Sequence, residues 1–460
     1  MAAFDRRRHS TWAKTFSCQP ERYYQPSTLA EIRQIVVLAR ERGKRIQTVG
    51  SGHSPSTLTI SDAWYVNLDR FNAAESVDAE KRIVAVQAGM RLFELHELLD
   101  KHGLALANLG SISDQSVAGV FATGSHGSTL QHGLLSQHVL SMRLLLSDAS
   151  IVNCSKSENK GLFEAALISL GGLGIVVSVT LQVDAAFNLH SEQSVRDLST
   201  VLDQWPTIWN EAEYTRVWWF PYSRKCVVWK ADRTQERVRP SRKDWYGSLV
   251  GYHLYQLLLY IGNWWSSTLP TFERFIFTQQ YGWEEGVSSE AIERSDVAFN
   301  IDCLFSQFVN EWAIPLNKGP EAIRLLDRWI NGDTSAIRNA PSPKGIIVHA
   351  PIEIRVTDTR CDDNRPMLDI SQKDGPTLFL NAILYRPYLR DPPCTATYYE
   401  AFETLMKDYG GRPHWAKNWS HMSKLDLEHA YPRLAQWRKI REGVDAVGMF
   451  ANDWIAQHLL

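Results

Sequence analysis

Two glycine loops set among alternating helical and extended segments constrain this chain more than any other feature. The first, Gly50-Ser-Gly-His-Ser-Pro55, follows Arg45-Ile-Gln-Thr-Val49, which reads as a strand; the second is Thr123-Gly-Ser-His-Gly127. Such loops present consecutive backbone N–H groups with little side-chain bulk, so they can approach a pyrophosphate and donate to it. Neither completes a common nucleotide fingerprint. Pro55 stands where a Rossmann loop needs its third glycine, and the second loop lacks the Gly-Lys-Ser/Thr ending of a P-loop, so ATP hydrolysis is unsupported. Either loop alone reads as well as a tight structural turn. The pair, joined by Ser116-Val-Ala-Gly119, points to a pyrophosphate-bearing ligand.

Around the loops, the first 185 residues alternate between helix and strand. Thr28-Leu-Ala-Glu31 is a capping box, followed by Leu29, Ile32, Ile35, Val36 and Ala39 at helical spacing and closed by Gly43. A second helix carries Leu92, Leu95, Leu98 and Leu99, and a third runs over Phe163–Leu170. Strands are expected at Trp64–Leu68, Ile83–Gln87, Leu104–Leu106 and Ile175–Val183, with a hairpin over Val139–Leu146 and Ser150–Cys154. After Ala185 the strands lengthen and become aromatic. Arg216–Phe220 and Cys226–Lys230 form a hairpin; Asp302–Val309, Ile346–Val356 and Thr377–Tyr385 read as further strands, and Glu321–Trp329 as an amphipathic helix. The fold class is α+β, with a mainly antiparallel sheet in the second half.

The 460 residues are 44% hydrophobic and 22% charged, which excludes disorder as the main state. Lys+Arg (49) nearly balances Asp+Glu (51), so nothing favours nucleic acid as a partner. Six scattered cysteines without a CxxC pair indicate a reduced, intracellular compartment. The N-terminal MAAFDRRRHSTW has basic residues but no apolar run after them, unlike a secretory signal. One segment, 245–272, contains no Asp, Glu, Lys or Arg. It is too polar for a clear span and is read as a buried or surface-lying helix, with membrane contact as the alternative.

Three groups of residues could carry chemistry. His53 is an imidazole inside the first loop, positioned to act as a base, a ligand or an attachment point; no carboxylate or cysteine lies at metal-ligand spacing, so no metal site is expected. In His349-Ala-Pro-Ile-Glu-Ile-Arg-Val356, the strand period of two puts His349, Pro351, Glu353 and Arg355 on one face and Ala350, Ile352, Ile354 and Val356 on the other. That polar face is either a surface ion pair or a clamp for a polyol, with Glu353 accepting and Arg355 donating. Lys417, between Trp415 and Trp419, reads in isolation as a stacked surface cation.

Taken in order, Val49-Gly-Ser-Gly-His-Ser-Pro55, Leu109-Gly-Ser-Ile-Ser-Asp-Gln-Ser-Val-Ala-Gly119, Thr123-Gly-Ser-His-Gly127, Pro351-Ile-Glu-Ile-Arg355, Tyr385-Arg-Pro387 and His414-Trp-Ala-Lys417 resemble the aldonolactone oxidases of the vanillyl-alcohol-oxidase flavoprotein family. Arg216-Val-Trp-Trp, Arg224-Lys-Cys226 and Asp302-Cys-Leu-Phe-Ser-Gln-Phe308 add to the likeness, which runs from about Trp12 to Trp419. The resemblance implies a two-domain fold. Residues 1–185 would form an FAD-binding domain (PCMH type) of two α+β subdomains, 186–405 a substrate or cap domain, and 406–460 a segment returning to the flavin. FAD would be bound covalently through its 8α position to His53. Its contacts would come from Val49, Gly50, Ser51, Gly52, Ser54 and Pro55, from Gly110, Ser111, Ser116 and Gly119, from Thr123, Gly124, Ser125, His126 and Gly127, and from Ile175, Val176, His414 and Lys417. The tail beyond Trp419 has no assigned role.

The implied reaction is oxidation of a sugar-acid 1,4-lactone (D-arabinono-, L-gulono- or L-galactono-) at C2, with hydride transfer to the flavin and hydrogen peroxide formed from dioxygen. Glu353 and Arg355 would fix the ring hydroxyls, Ser111 would bond another, and Lys417 would favour negative charge at the reacting group. No residue stands out as the base; His414 is the one candidate. Two other readings stay open: a dehydrogenase passing electrons to a carrier such as cytochrome c, and a non-enzymatic, membrane-associated flavin-binding protein. Gly110 favours the oxidase, because related dehydrogenases have an Ala there that crowds the approach of dioxygen. Location is expected to be cytoplasmic or on the mitochondrial outer membrane.

Overall fold

The computed structural model describes residues 3–5, 7–240, 245–301, 303–349 and 351–460, with side chains from residue 7 onward. Its first sheet contains β1 (Ala3–Asp5), β2 (Arg22–Tyr24), β3 (Ile46–Val49) and β4 (Trp64–Asn67) in the order β1-β2-β4-β3. The β2–β4 and β3–β4 pairs are parallel. Such pairs need crossovers. Helix α1 (Leu29–Glu41) supplies one of them. Thr28 Oγ1 accepts from Glu31 N at 3.2 Å while Glu31 Oε2 accepts from Thr28 N at 3.3 Å, so the capping box forms. Ile32, Ile35, Val36 and Ala39 are buried against the sheet. Gly43 follows at φ +58°, a conformation that favours glycine.

A second, antiparallel sheet contains β5 (Ala74–Asp78), β6 (Ile83–Gln87), β7 (Val139–Leu145), β8 (Ile151–Ser155) and β9 (Ile175–Gln182), ordered β8-β7-β9-β6-β5. Helices α2 (Leu92–Asp100) and α3 (Val117–Ala122) lie between β6 and β7 in the chain. Helix α3 falls in the small-residue region that sequence pattern left without an element.

The largest sheet has eight strands, all paired antiparallel. They are β10 (Asn188–Asp197), β11 (Tyr214–Phe220), β12 (Lys225–Thr234), β13 (Ser288–Arg294), β14 (Gln307–Pro315), β15 (Ile352–Thr357), β16 (Thr377–Tyr385) and β17 (Arg412–Pro413). The order is β13-β10-β12-β11-β15-β16-β14-β17. The register places Trp218 opposite Glu353, Glu353 opposite Asn381, and Asn381 opposite Glu311. One row across four strands therefore brings four separate sequence regions to one face.

Two expected strands are corrected. Asp302 and Ala350 lie outside the described residues. The strand expected over Asp302–Val309 begins only at Gln307 and runs on to Pro315. Asn310 and Glu311 do not end it, because each is buried with a partner: Asn310 Nδ2 donates to Glu403 Oε1 at 2.7 Å, and Glu311 accepts from Arg355 at 2.6 Å. The strand expected over Ile346–Val356 begins only at Ile352. Before it, Ile347 N donates to Cys394 Sγ and Val348 N to the Tyr222 hydroxyl, so these amides are not available to a ladder. The helix expected over Phe163–Leu170 spans Lys160–Ala166, and Leu170 has φ +53°.

The charge-free segment forms helix α4 (Leu249–Gly262) and the start of α5 (Leu269–Tyr281). Among the described residues no helix is long and apolar enough to cross a membrane. Leu249, Val250, Trp264 and Trp265 are nevertheless exposed.

The tail beyond Trp419 packs back on the first sheet. Ile46 N donates to Met449 O at 2.8 Å, and Asn452 Nδ2 donates to Gln47 Oε1 at 2.6 Å and to Leu58 O at 2.7 Å. The turn is built on Asp445, which is fully buried, accepts from Met449 N and Phe450 N at 2.9 Å and faces Arg441 Nη2 at 3.2 Å. Asp445→Ala strands a buried guanidinium and two amides. It should cost about 3 kcal/mol, read as a lowered urea midpoint with little change in slope; an unaltered midpoint would show that the tail does not brace the first sheet.

Candidate active site

Strand β3 ends at Val49 and delivers the first glycine loop to the start of α3. The fit is close: a Cβ on Gly50 would lie 2.3 Å from Ser116 Oγ. Gly52 has φ +73°, which the turn requires. Val49, Gly50, Ser51, Gly52, His53 and Ser54 form one wall of a groove of about 900 Å³; Ser116, Gly119, Thr123 and Val176 contribute to the rest. A second cavity, of about 970 Å³, continues from it, and His53, Ser54, Gln115 and Thr123 line both. His53 therefore stands at the junction. Its ring stacks on Trp12 at 5.6 Å, and Nδ1 is buried without a hydrogen-bond partner among the described residues. Burial pushes its pKa down to about 4, with Asp114 opposing, so the imidazole is neutral at physiological pH.

The second cavity is floored by the register row. Trp218, Glu353, Asn381 and Arg355 line it, together with Ser111, His126, His414 and Lys417. Asn381 Nδ2 donates to Glu353 Oε2 at 3.4 Å, and Arg355 Nε lies 3.4 Å from the same oxygen. Arg355 Nη2 donates to Glu311 Oε1 at 2.6 Å. Lys417 Nζ lies 3.5 Å from Glu311 Oε2, and His126 Nε2 lies 3.3 Å from Oε1. Burial alone raises the Glu311 carboxyl; the Arg355 guanidinium and the Lys417 ammonium more than reverse this and hold it well below the usual range. Burial keeps His126 and His414 neutral by lowering both. Glu353 Oε1, Asn381 Oδ1 and Ser111 Oγ have no hydrogen-bond partner among the described residues. Unsatisfied buried polar atoms of this kind, converging on one cavity, mark a place for a polar ligand.

The structure brings most of the expected residues together. Pro55, Gly110, Ser111, Ser125, His126, Glu353, Arg355, His414 and Lys417 all face the second cavity. Glu353 and Arg355 are only 6% exposed each, which replaces the surface ion pair by a buried one. Lys417 does not stack on its neighbouring tryptophans; Trp415 packs on Tyr431, and both Trp415 and Trp419 meet Trp454. Three expected residues do not line either cavity. Ile175 points into the core beneath the first sheet, while its strand neighbour Val176 faces the groove. Gly124 packs on Ile168 and Ile370, and Gly127 on Asn108.

Sequence reading missed Glu311, Asn381, Gln307 and Trp218. Glu311 had one available signal: a lone acid at period two from Gln307, Val309 and Ala313 in an otherwise apolar run. His126, Glu311 and His414 also place ligand atoms within 4.8 Å of one another. Arg355 and Lys417 already bring two positive charges to Glu311, which disfavours a metal ion there.

Comparison with known structures identifies the class. The fold matches cholesterol oxidase from B. sterolicum with a TM-score of 0.82 at 16% identity, covering 100% of this chain and 97% of that one. It matches a xylooligosaccharide oxidase from Myceliophthora thermophila with a TM-score of 0.68 at 16% identity, covering 96% and 93%. This is the vanillyl-alcohol-oxidase type of flavoprotein fold, and a model of FAD binding domains matches residues 20–155. The D-arabinono-1,4-lactone oxidase of Yarrowia lipolytica is 38% identical over 509 residues, covering 96% of this chain and 95% of its own. That of Eremothecium gossypii is 41% identical (88% and 82% covered), and an L-gulonolactone oxidase from Scyliorhinus torazame is 37% identical (96% of each). With the family model matching residues 179–458 as well, the chain belongs to the D-arabinono-1,4-lactone oxidase family.

The glycines of the site separate into two kinds. A Cβ on Gly127 would lie 1.8 Å from Asn108 Oδ1 and 2.7 Å from the Leu109 carbonyl, whereas one on Gly110 meets nothing closer than 3.8 Å. Gly127→Ala should therefore displace the 109–111 segment and lower both thermal midpoint and flavin content. Gly110→Ala should leave both nearly unchanged, within about 0.5 kcal/mol. Equal behaviour of the two variants would contradict this packing.

Proposed function

We infer that this chain catalyses the FAD-dependent oxidation of a sugar-acid 1,4-lactone at the carbon next to the carbonyl. One observation carries the reading: at the end of the groove beyond His53, the row of Glu353 and Asn381 with Ser111 presents unpaired acceptors and a hydroxyl to a cavity that also holds Arg355 and Lys417. A ring bearing several hydroxyls and a carbonyl matches that set. The residues present fit FAD: a glycine-walled groove, an unpartnered His53 Nδ1 and room at Gly110. FAD held there would supply the two-electron acceptor, with dioxygen as the final oxidant and hydrogen peroxide as its product.

The chain's own residues bind and orient. Glu353 accepts from substrate hydroxyls, Arg355 donates to ring or carbonyl oxygen, and Ser111 fixes a further hydroxyl. Lys417 stabilises negative charge as the reacting hydroxyl gives up its proton. His414 lines the same cavity; its Nδ1 accepts from Ala416 N at 3.2 Å and burial keeps the ring neutral, which leaves Nε2–H to donate to a substrate oxygen. Purified yellow protein offered a panel of aldonolactones should release peroxide, most readily with D-arabinono-1,4-lactone. Release with none of them, or reduction only of cytochrome c, would reject the oxidase. Glu353→Gln should lower kcat on the order of 100-fold while flavin content and thermal midpoint stay near wild type. A large stability loss with normal turnover would make the residue structural.

The cofactor is proposed to be covalent, through its 8α carbon and His53. The buried, neutral imidazole at the junction of the two cavities supports it. Acid-precipitated protein should stay yellow, and His53→Ala should release its colour to the supernatant. Colour released equally by the wild type would refute the bond.

A peripheral membrane attachment, at the mitochondrial outer membrane, is proposed for the α4–α5 hairpin. Leu249, Val250, Trp264 and Trp265 are 62–76% exposed, and Tyr388 joins them through Tyr260. Tryptophans at the edge of an apolar face suit a headgroup boundary. The protein should float with phospholipid vesicles, and a Trp264→Ser, Trp265→Ser variant should remain below. Flotation unchanged by both substitutions would exclude this face.

A further inference from the structure

We propose that Glu311 is the positioning residue of the oxidation site: among the described residues its buried carboxylate is the anion on which both Arg355 and Lys417 converge, so it sets where these cations stand and is the counter-charge that Lys417 faces. The proposal rests on the lactone-oxidising reading of the cavity and adds a residue that does not itself line it.

Glu311 is fully buried on β14, at the end of the register row from Trp218 through Glu353 and Asn381. Its two oxygens divide the work. Oε1 accepts from Arg355 Nη2 at 2.6 Å and faces His126 Nε2 at 3.3 Å; Oε2 faces Lys417 Nζ at 3.5 Å. Its backbone is fixed as well, since the Glu311 carbonyl accepts from His414 N at 2.9 Å, and Lys417 N in turn donates to the His414 carbonyl at 3.0 Å. One residue thus holds the segment carrying Lys417 by its main chain and faces the ammonium with its side chain. A buried carboxylate with no cation would be strongly disfavoured, and so would the buried Arg355 guanidinium with no carboxylate.

The groups around Lys417 decide what a neutral Glu311 would do. Arg355 and Glu353 come from β15, His126 from the second glycine loop, His414 from the Lys417 segment, and Cys303 and Tyr385 complete the wall. His126 and His414 are held neutral by burial. The carboxylates here are Glu311 and Glu353; the cations are Arg355, Lys417 and Arg216, whose buried guanidinium feels both Glu353 and Arg355. Glu353 is engaged by Arg355 and Asn381, so Glu311 is the carboxylate that faces Lys417 directly. Without its charge, Lys417 stands near Arg355 with no counterion, which favours loss of its proton.

Glu311→Gln keeps the shape and removes the charge. The first readout needs no substrate: pH-dependent acylation of the Lys417 amine, followed by peptide mass spectrometry, should shift to lower pH by about one unit or more. The second is anaerobic flavin reduction by D-arabinono-1,4-lactone in rapid mixing. Its rate should fall about 100-fold, and its alkaline limb should move down in pH with the labelling curve, while Glu311→Asp recovers part of both. If Glu311→Gln does not fold, Glu311→Asp carries the test, because a retracted carboxylate must shift both curves in the same direction by less. Unshifted curves in a folded variant, or a fall in thermal midpoint with wild-type kinetics, would overturn the proposal. A wild-type flavin that no lactone reduces would instead fall on the functional reading, and the labelling result would still stand or fail by itself.

Discussion

A contact between Glu311 and Arg355 inside the large sheet governs the architecture around it. Burying a carboxylate and a guanidinium is costly unless each finds the other with good geometry. Here the antiparallel register supplies that geometry, because β16 separates β14 from β15 by one strand and puts Asn381 between Glu311 and Glu353. A slip of one residue in either pair would turn these side chains to the opposite face. The polar cavity and the register therefore specify one another, and the apolar partners Ile352, Ile354 and Val356 pack on the other side of β15.

The same row gathers distant parts of the chain. His126, from the second glycine loop, stacks on Phe379 at 3.6 Å, one row along from Asn381. Asn418 donates to Val309 O through its main chain and to Pro55 O through its side chain, which ties the first glycine loop to the edge of the sheet. The tail then continues to the first sheet, where Asn452 holds Gln47 and Leu58, both walls of the glycine-lined groove. The glycine-walled groove and the polar cavity are thus two ends of one braced channel with His53 where they meet.

Local chemistry was legible in the sequence and long-range pairing was not. The capping box at Thr28 needs only neighbours in the chain and forms as read, whereas the glycine loops are shaped by distant residues: Gly50 by Ser116, Gly127 by Asn108 and Gly124 by Ile168 and Ile370, so that Gly124 and Gly127 line neither cavity. The Glu353 and Arg355 alternation correctly placed them on one face, but whether that face met water or a cavity depended on strands from elsewhere. Glu311 was lost because a polar pair, Asn310-Glu311, resembles the end of a strand. Its burial is made tolerable by Glu403 on one face and Arg355 on the other, both remote in sequence. Lys417 looked like a surface cation because its tryptophan neighbours suggested stacking. Those rings instead pack with Tyr431 and Trp454, in a tail whose pattern showed no role.

The central claim is that hydroxyls of a lactone substrate replace the missing partners of Glu353, Asn381 and Ser111. A crystal structure of the FAD-loaded protein with an unreactive 2-deoxy aldonolactone tests it most directly. The account predicts ring hydroxyls within hydrogen-bond distance of Glu353 and Asn381, and the ring carbonyl facing Arg355 or Lys417. A lactone bound away from this row, with Glu353 and Arg355 closed on each other as in the free protein, would contradict it.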